Sequence, residues 1–265
     1  MKKIKVIDTH FHVWDLDKQN LPWLEGADDV IKKTFTIEDY FNKYDEVDGI
    51  DFVGGIYVEI DGADPVEEDE IVYDLCKNND KILATMMRSK VSPTMRVPAF
   101  AKGIREPLHT GDSPRGRCLE ESFIEGLKNL SKKNMPFESC NRVNELEDFY
   151  ETVKKVPEET FILNHLGNVE VLSDEYKNVM KKFALLDNVY IKVSGYNTSD
   201  KEFVRELLKF VKETFRSDRL MYASNWPVVE IYSEFKEHFS ILLDEFKDDE
   251  DFFFNNAVRC YGLDV

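Results

Sequence analysis

The sequence predicts an α/β protein, a single (β/α)8 TIM barrel, on three observations. Eight short β-rich runs recur along the 265 residues. Helix-like amphipathic stretches separate most of them, the alternation that builds a parallel sheet. The length also suits one barrel of about 250 residues. An open doubly wound sheet is the alternative, but no Gly-rich phosphate loop follows the first run. One domain over 1–265 is expected, with no internal repeat and no linker.

Residues 4–8 form the first strand run. Thr36-Ile37-Glu38-Asp39, an N-cap followed by early acids, then opens a helix. The second strand covers 52–60, and apolar spacing of three and four predicts a helix over 66–78. Strands over 82–89 and 103–105 follow, then a helix over 120–134. Strand five, 136–140, precedes a helix over 143–155. Strand six is 160–164, and Ser173-Asp174-Glu175 caps the next helix. Strand seven, 189–194, and strand eight, 220–224, precede helices over 200–215 and 230–246. A last amphipathic segment, 251–261, ends at Gly262, a suitable residue just past a helix C-terminus. The loops 61–70 and 106–117, rich in Pro, Gly and charge, follow strands and so belong on the catalytic face.

Lys and Arg total 35 against 52 Asp and Glu, a net charge of −17. So negative a surface repels polyanions and excludes nucleic acid and anionic membranes as expected partners. Hydrophobic residues at 42% are enough for a large core and exclude disorder. The longest apolar run, 52–58, is broken by Gly54 and Gly55 and is too short to span a bilayer. Met1-Lys2-Lys3 is basic, but only Ile4, Val6 and Ile7 follow before Asp8, so no signal peptide is expected. Cys76, Cys118, Cys140 and Cys260 are scattered without a CxxC, which fits free thiols in a cytoplasmic protein.

Only five histidines occur, which makes their positions informative. His10 and His12 end the first strand, and strict alternation turns Val6, Asp8, His10 and His12 to one face. Two imidazoles so placed can share a metal ion or a substrate; chance placement, one buried and one exposed, is the competing account. His165 ends the sixth strand just before Leu166-Gly167, where a barrel keeps its catalytic groups. A hydrogen-bonded core histidine would look the same. Asn225 ends the eighth strand. The convergence of strands one, six and eight on one mouth favours a site.

Arg105 ends the fourth strand, and its planar fork suits a carboxylate or a polarised carbonyl. Arg115 and Arg117 follow, either in the site or paired with Glu106, Asp112 or Glu120. His109 is a lid contact or a solvated residue, and His238 is expected on the surface. Glu59 supplies a carboxylate for base or ligand work at the end of strand two. Lys192 either holds a negative charge in the mouth or balances Glu59 in a structural ion pair. Trp14, Trp23 and Trp226 are core or rim aromatics, with Trp14 and Trp226 beside the site.

Asp8-Thr9-His10-Phe11-His12-Val13-Trp14-Asp15 and Pro22-Trp23-Leu24 resemble the opening of the amidohydrolase-related ("amidohydrolase 2") TIM-barrel hydrolases. The narrower resemblance is to the sugar-lactone and 2-pyrone-4,6-dicarboxylate lactonases. Lys102-Gly103-Ile104-Arg105, Asn164-His165-Leu166-Gly167, Ile191-Lys192-Val193-Ser194-Gly195, Ser224-Asn225-Trp226-Pro227-Val228 and Asn256-Ala257-Val258-Arg259-Cys260-Tyr261-Gly262 follow in family order.

The resemblance implies a monomeric or homodimeric hydrolase that opens a lactone by attack of water. His10, His12 and His165 then bind one divalent cation, zinc by the imidazole-rich ligation, or polarise the carbonyl directly. Some members need no metal. His165, Asn225 and Glu59 are the catalytic candidates, and Arg105, Trp14, Lys192 and His109 the substrate contacts. The family's usual residue at 225 is an Asp general base. An amide cannot accept that proton. A metal-bound hydroxide, or Glu59 or Glu230 as a substitute base, is then required. Otherwise the barrel binds a sugar acid without turnover. A metal-dependent decarboxylase is a further alternative.

Overall fold

The computed structural model describes residues 3–247 and 249–265, so Met1 and Lys2 of the basic N-terminal run fall outside it. Eight parallel strands pair strictly in chain order. They are β1 (Ile4–Phe11), β2 (Ile50–Val58), β3 (Ile82–Arg88), β4 (Gly103–Pro107), β5 (Phe137–Cys140), β6 (Phe161–Leu163), β7 (Val189–Val193) and β8 (Leu220–Tyr222). Around them run α1 (Ile37–Asp45), α2 (Pro65–Asn78), α3 (Glu121–Ser131), α4 (Leu146–Lys155), α5 (Asp174–Phe183), α6 (Lys201–Thr214), α7 (Phe235–Phe246) and α8 (Asn256–Tyr261). The fold is the (β/α)8 barrel that the alternation predicts. No helix among the described residues is long and apolar enough to cross a membrane.

The helix starts are chemically marked. Thr36 and Asp39 close a reciprocal capping box on α1, and Asp64 caps α2 with Pro65 in its first turn. Ser173 and Asp200 accept from Tyr176 N and Phe203 N at the starts of α5 and α6. The helix expected from residue 230 begins only at Phe235, because Val228–Ile231 is a tight 3-10 turn.

Closure between β1 and β8 rests on few backbone contacts. His12 N donates to Trp226 O and Asn225 N to His10 O, each at 2.8 Å. Side chains add to them: Thr9 Oγ1 donates to Tyr222 O at 2.6 Å, and the Asp8 carboxylate accepts from Ser224 N at 2.8 Å and Ser224 Oγ at 2.6 Å. Tyr40 and Tyr44 of α1 also donate to it, at 2.8 Å each. One buried side chain thus joins the first strand, the last strand and the first helix.

This corrects the expected alternation of β1. Asp8 faces α1, whereas His10 and His12 face the barrel mouth. The register slips between Asp8 and Phe11, and such an irregularity re-aims the side chains beyond it.

The apolar core has two layers. The outer one packs strands against helices through Phe11, Tyr40, Tyr57, Phe123, Phe137 and Phe161. The inner one fills the barrel with Ile7, Ile56, Val58, Met86, Ile162 and Met221. Phe254, Ala257 and Tyr261 join that inner cluster, so the α8 segment plugs the barrel. Asn256 Nδ2 ties it to Ser217 O and Leu220 O at the start of β8, fixing the plug at the N-terminal end. Gly262 ends α8 at φ 56°, in the left-handed conformation expected there.

Candidate active site

Above the plug a column of polar side chains rises through the barrel. Tyr261 donates to Glu138 at 2.8 Å, and Glu138 is ion-paired with Lys192, both wholly buried. Lys192 Nζ lies 3.3 Å from His10 Nδ1, His10 Nε2 lies 3.1 Å from His12 Nε2, and His12 Nδ1 lies 2.8 Å from Val58 O. An ammonium only donates and a carbonyl only accepts, which sets the proton on His10 Nε2 and on His12 Nδ1. Burial, reinforced by Lys192 and the neighbouring imidazoles, holds His10 well below the usual histidine range. Burial and Arg105 push His12 down to about 3, and the same two causes lower His165. All three are neutral imidazoles at neutral pH.

The column ends in a cavity of about 280 Å³ at the C-terminal mouth. His12, Glu59, Arg105, His109, His165 and Asn225 line it, together with Trp23, Asp61, Cys140, Asn168 and Tyr232. Arg105 Nη1 pairs with the fully buried Glu59, and Arg105 Nε donates to Asn164 Oδ1 at 3.0 Å. Glu59 Oε2 accepts from Asp61 N at 2.8 Å. Two Nη2 protons of Arg105 stay available for a ligand oxygen.

His165 stands at φ 53°, in a left-handed run continued by Leu166, Gly167 and Asn168. A non-Gly residue held there stores strain of the kind found at functional sites. Its Nδ1 lies 2.8 Å from Ser194 Oγ. Gly195 packs against it so closely that an added Cβ would sit 2.5 Å from His165 Cβ. Asn225 also has positive φ, 58°, and donates to Tyr232 OH at 2.9 Å. Asn tolerates that conformation better than most residues.

Several expected site residues are placed elsewhere. Trp14 does not line the cavity: its indole donates to Lys33 O at 2.7 Å and packs edge-on to Trp23, which takes the rim position instead. Lys192 lies below the mouth and balances Glu138 rather than Glu59. Glu230 is tied to Lys43 at 2.9 Å and is no substitute base. Arg117 is buried against Glu106 and Arg115 reaches Asn144, so both are structural. His238, expected on the surface, is wholly buried, with Nε2 3.0 Å from Ala223 O. The helical pattern hid that α7 turns this face onto β8.

Cys140, Asn168, Asp61 and Tyr232 were not legible as site residues. The signal for Cys140 was its position as the last residue of β5, the strand end that faces the mouth.

The donor set does not fit a resident divalent cation. Among the described residues no three His, Cys, Asp or Glu side chains are arranged to hold a metal ion, although the rings of His12 and His165 lie 4.8 Å and 4.6 Å from that of His10. His10 and His12 spend their facing nitrogens on each other, Glu59 and Glu138 are neutralised by Arg105 and Lys192, and residue 225 is an amide. Two buried cations beside the imidazoles add repulsion.

A polar cavity at the C-terminal mouth of a (β/α)8 barrel defines a protein whose chemistry sits on the loops after its strands. The chain belongs to the amidohydrolase family, a hydrolase family whose model matches residues 7–263. An amidohydrolase 2 from Bifidobacterium longum subsp. infantis is 46% identical, with a TM-score of 0.90 over 99% of this chain and 100% of that one. The L-rhamnono-gamma-lactonase of Scheffersomyces stipitis is 24% identical over 99% of this chain and 100% of its own. A Burkholderia multivorans amidohydrolase, crystallised with bound zinc, shares the fold at 19% identity and a TM-score of 0.84, over 98% of this chain and 99% of that one.

Proposed function

We propose that the protein hydrolyses a small cyclic ester, a sugar-acid lactone or a close relative. The observation that carries this is the mouth cavity, where Arg105 stands among neutral imidazoles. Its 280 Å³ is near the lower end for small-molecule sites, about 300 Å³. One ring fits and a polymer does not. The lactonase name of the Scheffersomyces stipitis relative supports the same substrate class.

Arg105 binds the ester carbonyl oxygen, or the carboxylate that appears on ring opening, while Glu59 and Asn164 hold the guanidinium in place. His12 and His165, uncharged, offer hydrogen bonds to the ring oxygens without adding a buried charge. Asn225, fixed by Tyr232, orients the substrate and takes no proton. Zinc has no part in this reading, because His12 already faces His10 and the mouth carboxylates Glu59 and Asp61 are paired with Arg105 and Arg88. His165 and Asn225 act as positioning groups, with Glu59 acting through Arg105.

The test is a panel of five- and six-membered sugar-acid lactones and a pyrone dicarboxylate, followed by acid release. Hydrolysis of at least one, lost in Arg105→Met, is expected. A panel on which the wild type is inactive overturns the reading. Asn225 favours one alternative, a barrel that binds sugar acids without turnover. It predicts a raised melting temperature with those acids and no acid release from their lactones.

A further inference from the structure

The hydrolase reading leaves the activation of the attacking group unassigned. Asn225 accepts no proton, Glu59 is bound to Arg105, and Glu230 is bound to Lys43. His10 and His12 face each other. We infer that Cys140 is the nucleophile of this site, with His109 as its proton partner, so that ring opening passes through a thioester. This rests on the hydrolase reading and names the group that performs its first step.

Cys140 and His109 come from different strands' ends, β5 and the loop after β4, and line the same cavity as Arg105. The thiol is buried at 1% exposure, and Asn168 Nδ2 donates to its Sγ at 3.2 Å. An N–H aimed at sulfur favours the thiolate. Burial pushes the Cys140 thiol up, but His109, Arg105 and Asn168 outweigh it and bring it down to about 7. His109 is raised in turn, chiefly by Cys140 and against burial, with Asp61 adding to the effect and Arg105 opposing it. Tyr232, the other titratable group facing this thiol, is itself raised by burial and stays neutral.

The remaining thiols supply the contrast. Burial raises Cys76 and Cys118 to about 11, and Cys260 further still. Only Cys140 has an imidazole, a guanidinium and an amide around it, the setting that activates a cysteine.

The steps balance. The Cys140 thiolate attacks the carbonyl carbon and a C–S bond forms, with the oxyanion facing Arg105. Collapse breaks the ring C–O bond, and the His109 imidazolium protonates the departing alkoxide. Water then attacks the thioester while His109 takes its proton. The C–S bond breaks, releasing the hydroxy acid and restoring thiolate and imidazolium. Lactone plus water gives hydroxy acid, with no oxidant or further reactant.

Two measurements test this. Iodoacetamide labelling of the intact protein, read at each cysteine by mass spectrometry, needs no substrate. Alkylation at Cys140 is expected to rise with a midpoint near pH 7, and His109→Gln moves it toward the ordinary thiol range of about 8.5. A wild-type midpoint above 8.5, or one that His109→Gln leaves in place, overturns the pair. With a lactone that the wild type opens, Cys140→Ser lowers kcat by about 10³-fold or more, the scale of losing a nucleophile. Hydroxylamine is expected to capture a substrate-derived hydroxamate from the wild type only. Cys118→Ser, away from the cavity, tests for general loss of fold, and circular dichroism does so for Cys140→Ser. Hydrolysis intact in Cys140→Ser refutes the nucleophile and leaves the hydrolase reading standing. A wild type that opens no lactone overturns both.

Discussion

Arg105→Met removes the cation from the most costly ion pair in the mouth. Glu59 is fully buried, with one oxygen on Arg105 and the other on Asp61 N. Without the guanidinium it is left with a single backbone donor. Orphaning a buried charge in this way costs about 3–5 kcal/mol. Asn164 Oδ1 loses its donor as well, and its Nδ2 already lacks a partner, so roughly 1 kcal/mol is added. For 265 residues the unfolding entropy is about 0.56 kcal/mol/K, and the combined loss lowers Tm by about 7–11 °C. Methionine preserves most of the side-chain volume, which separates the electrostatic loss from a cavity. Scanning calorimetry of the wild type, Arg105→Met, Glu59→Gln and the double variant forms the assay. The double variant is expected to recover at least about 2 kcal/mol over Arg105→Met, because no buried charge is left alone. A Tm drop under about 2 °C, or no recovery in the double variant, refutes the argument that Arg105 is held by a charge it must neutralise.

Asn225→Asp is expected to leave lactone hydrolysis nearly unchanged; a rise of about 10²-fold, the scale of a general base, would instead locate the missing base at 225. Gly195→Ala forces a Cβ against His165 in a backbone at φ 76°, costing about 1–2 kcal/mol from conformation alone, and activity should fall more than stability. Equal residual activity in that variant would show that the seat of His165 is unimportant. His238 is buried neutral and lowered by burial to about 4, so its contribution to stability is present above pH 6.5 and is lost as pH falls toward 4. That amounts to about 2 kcal/mol between pH 7 and pH 5, and His238→Gln should flatten the Tm profile there. A profile as steep as the wild type's would assign the loss to other groups. Elemental analysis of protein purified without affinity metal should find substoichiometric zinc, and chelator should leave activity intact; one tightly held equivalent would refute the donor-set argument.

Much of the fold was written in local pattern. All eight strands and the helices after β1 and β2 and from β4 onward follow from β-rich runs, caps such as Thr36 and Ser173, and apolar spacing. The mouth was legible wherever a polar residue ends a strand, which located His12, Glu59, Arg105, His165 and Asn225. The side-chain pairings were not. Lys192 meets Glu138 across the barrel, Asp8 turns to α1 at a slip in register, and His238 is buried on the inner face of α7, a helix that reads as amphipathic.

What the sequence determined is set by short-range physics: backbone propensity, period and capping act within a few residues. What only the tertiary structure decided depends on which strand ends close into a ring. That closure brings His109 and Asn168 to Cys140, removes water from them, and turns a thiol that the sequence marks as ordinary into one poised near neutrality. Desolvation and charge proximity arise only when distant segments meet, so no local pattern could carry them.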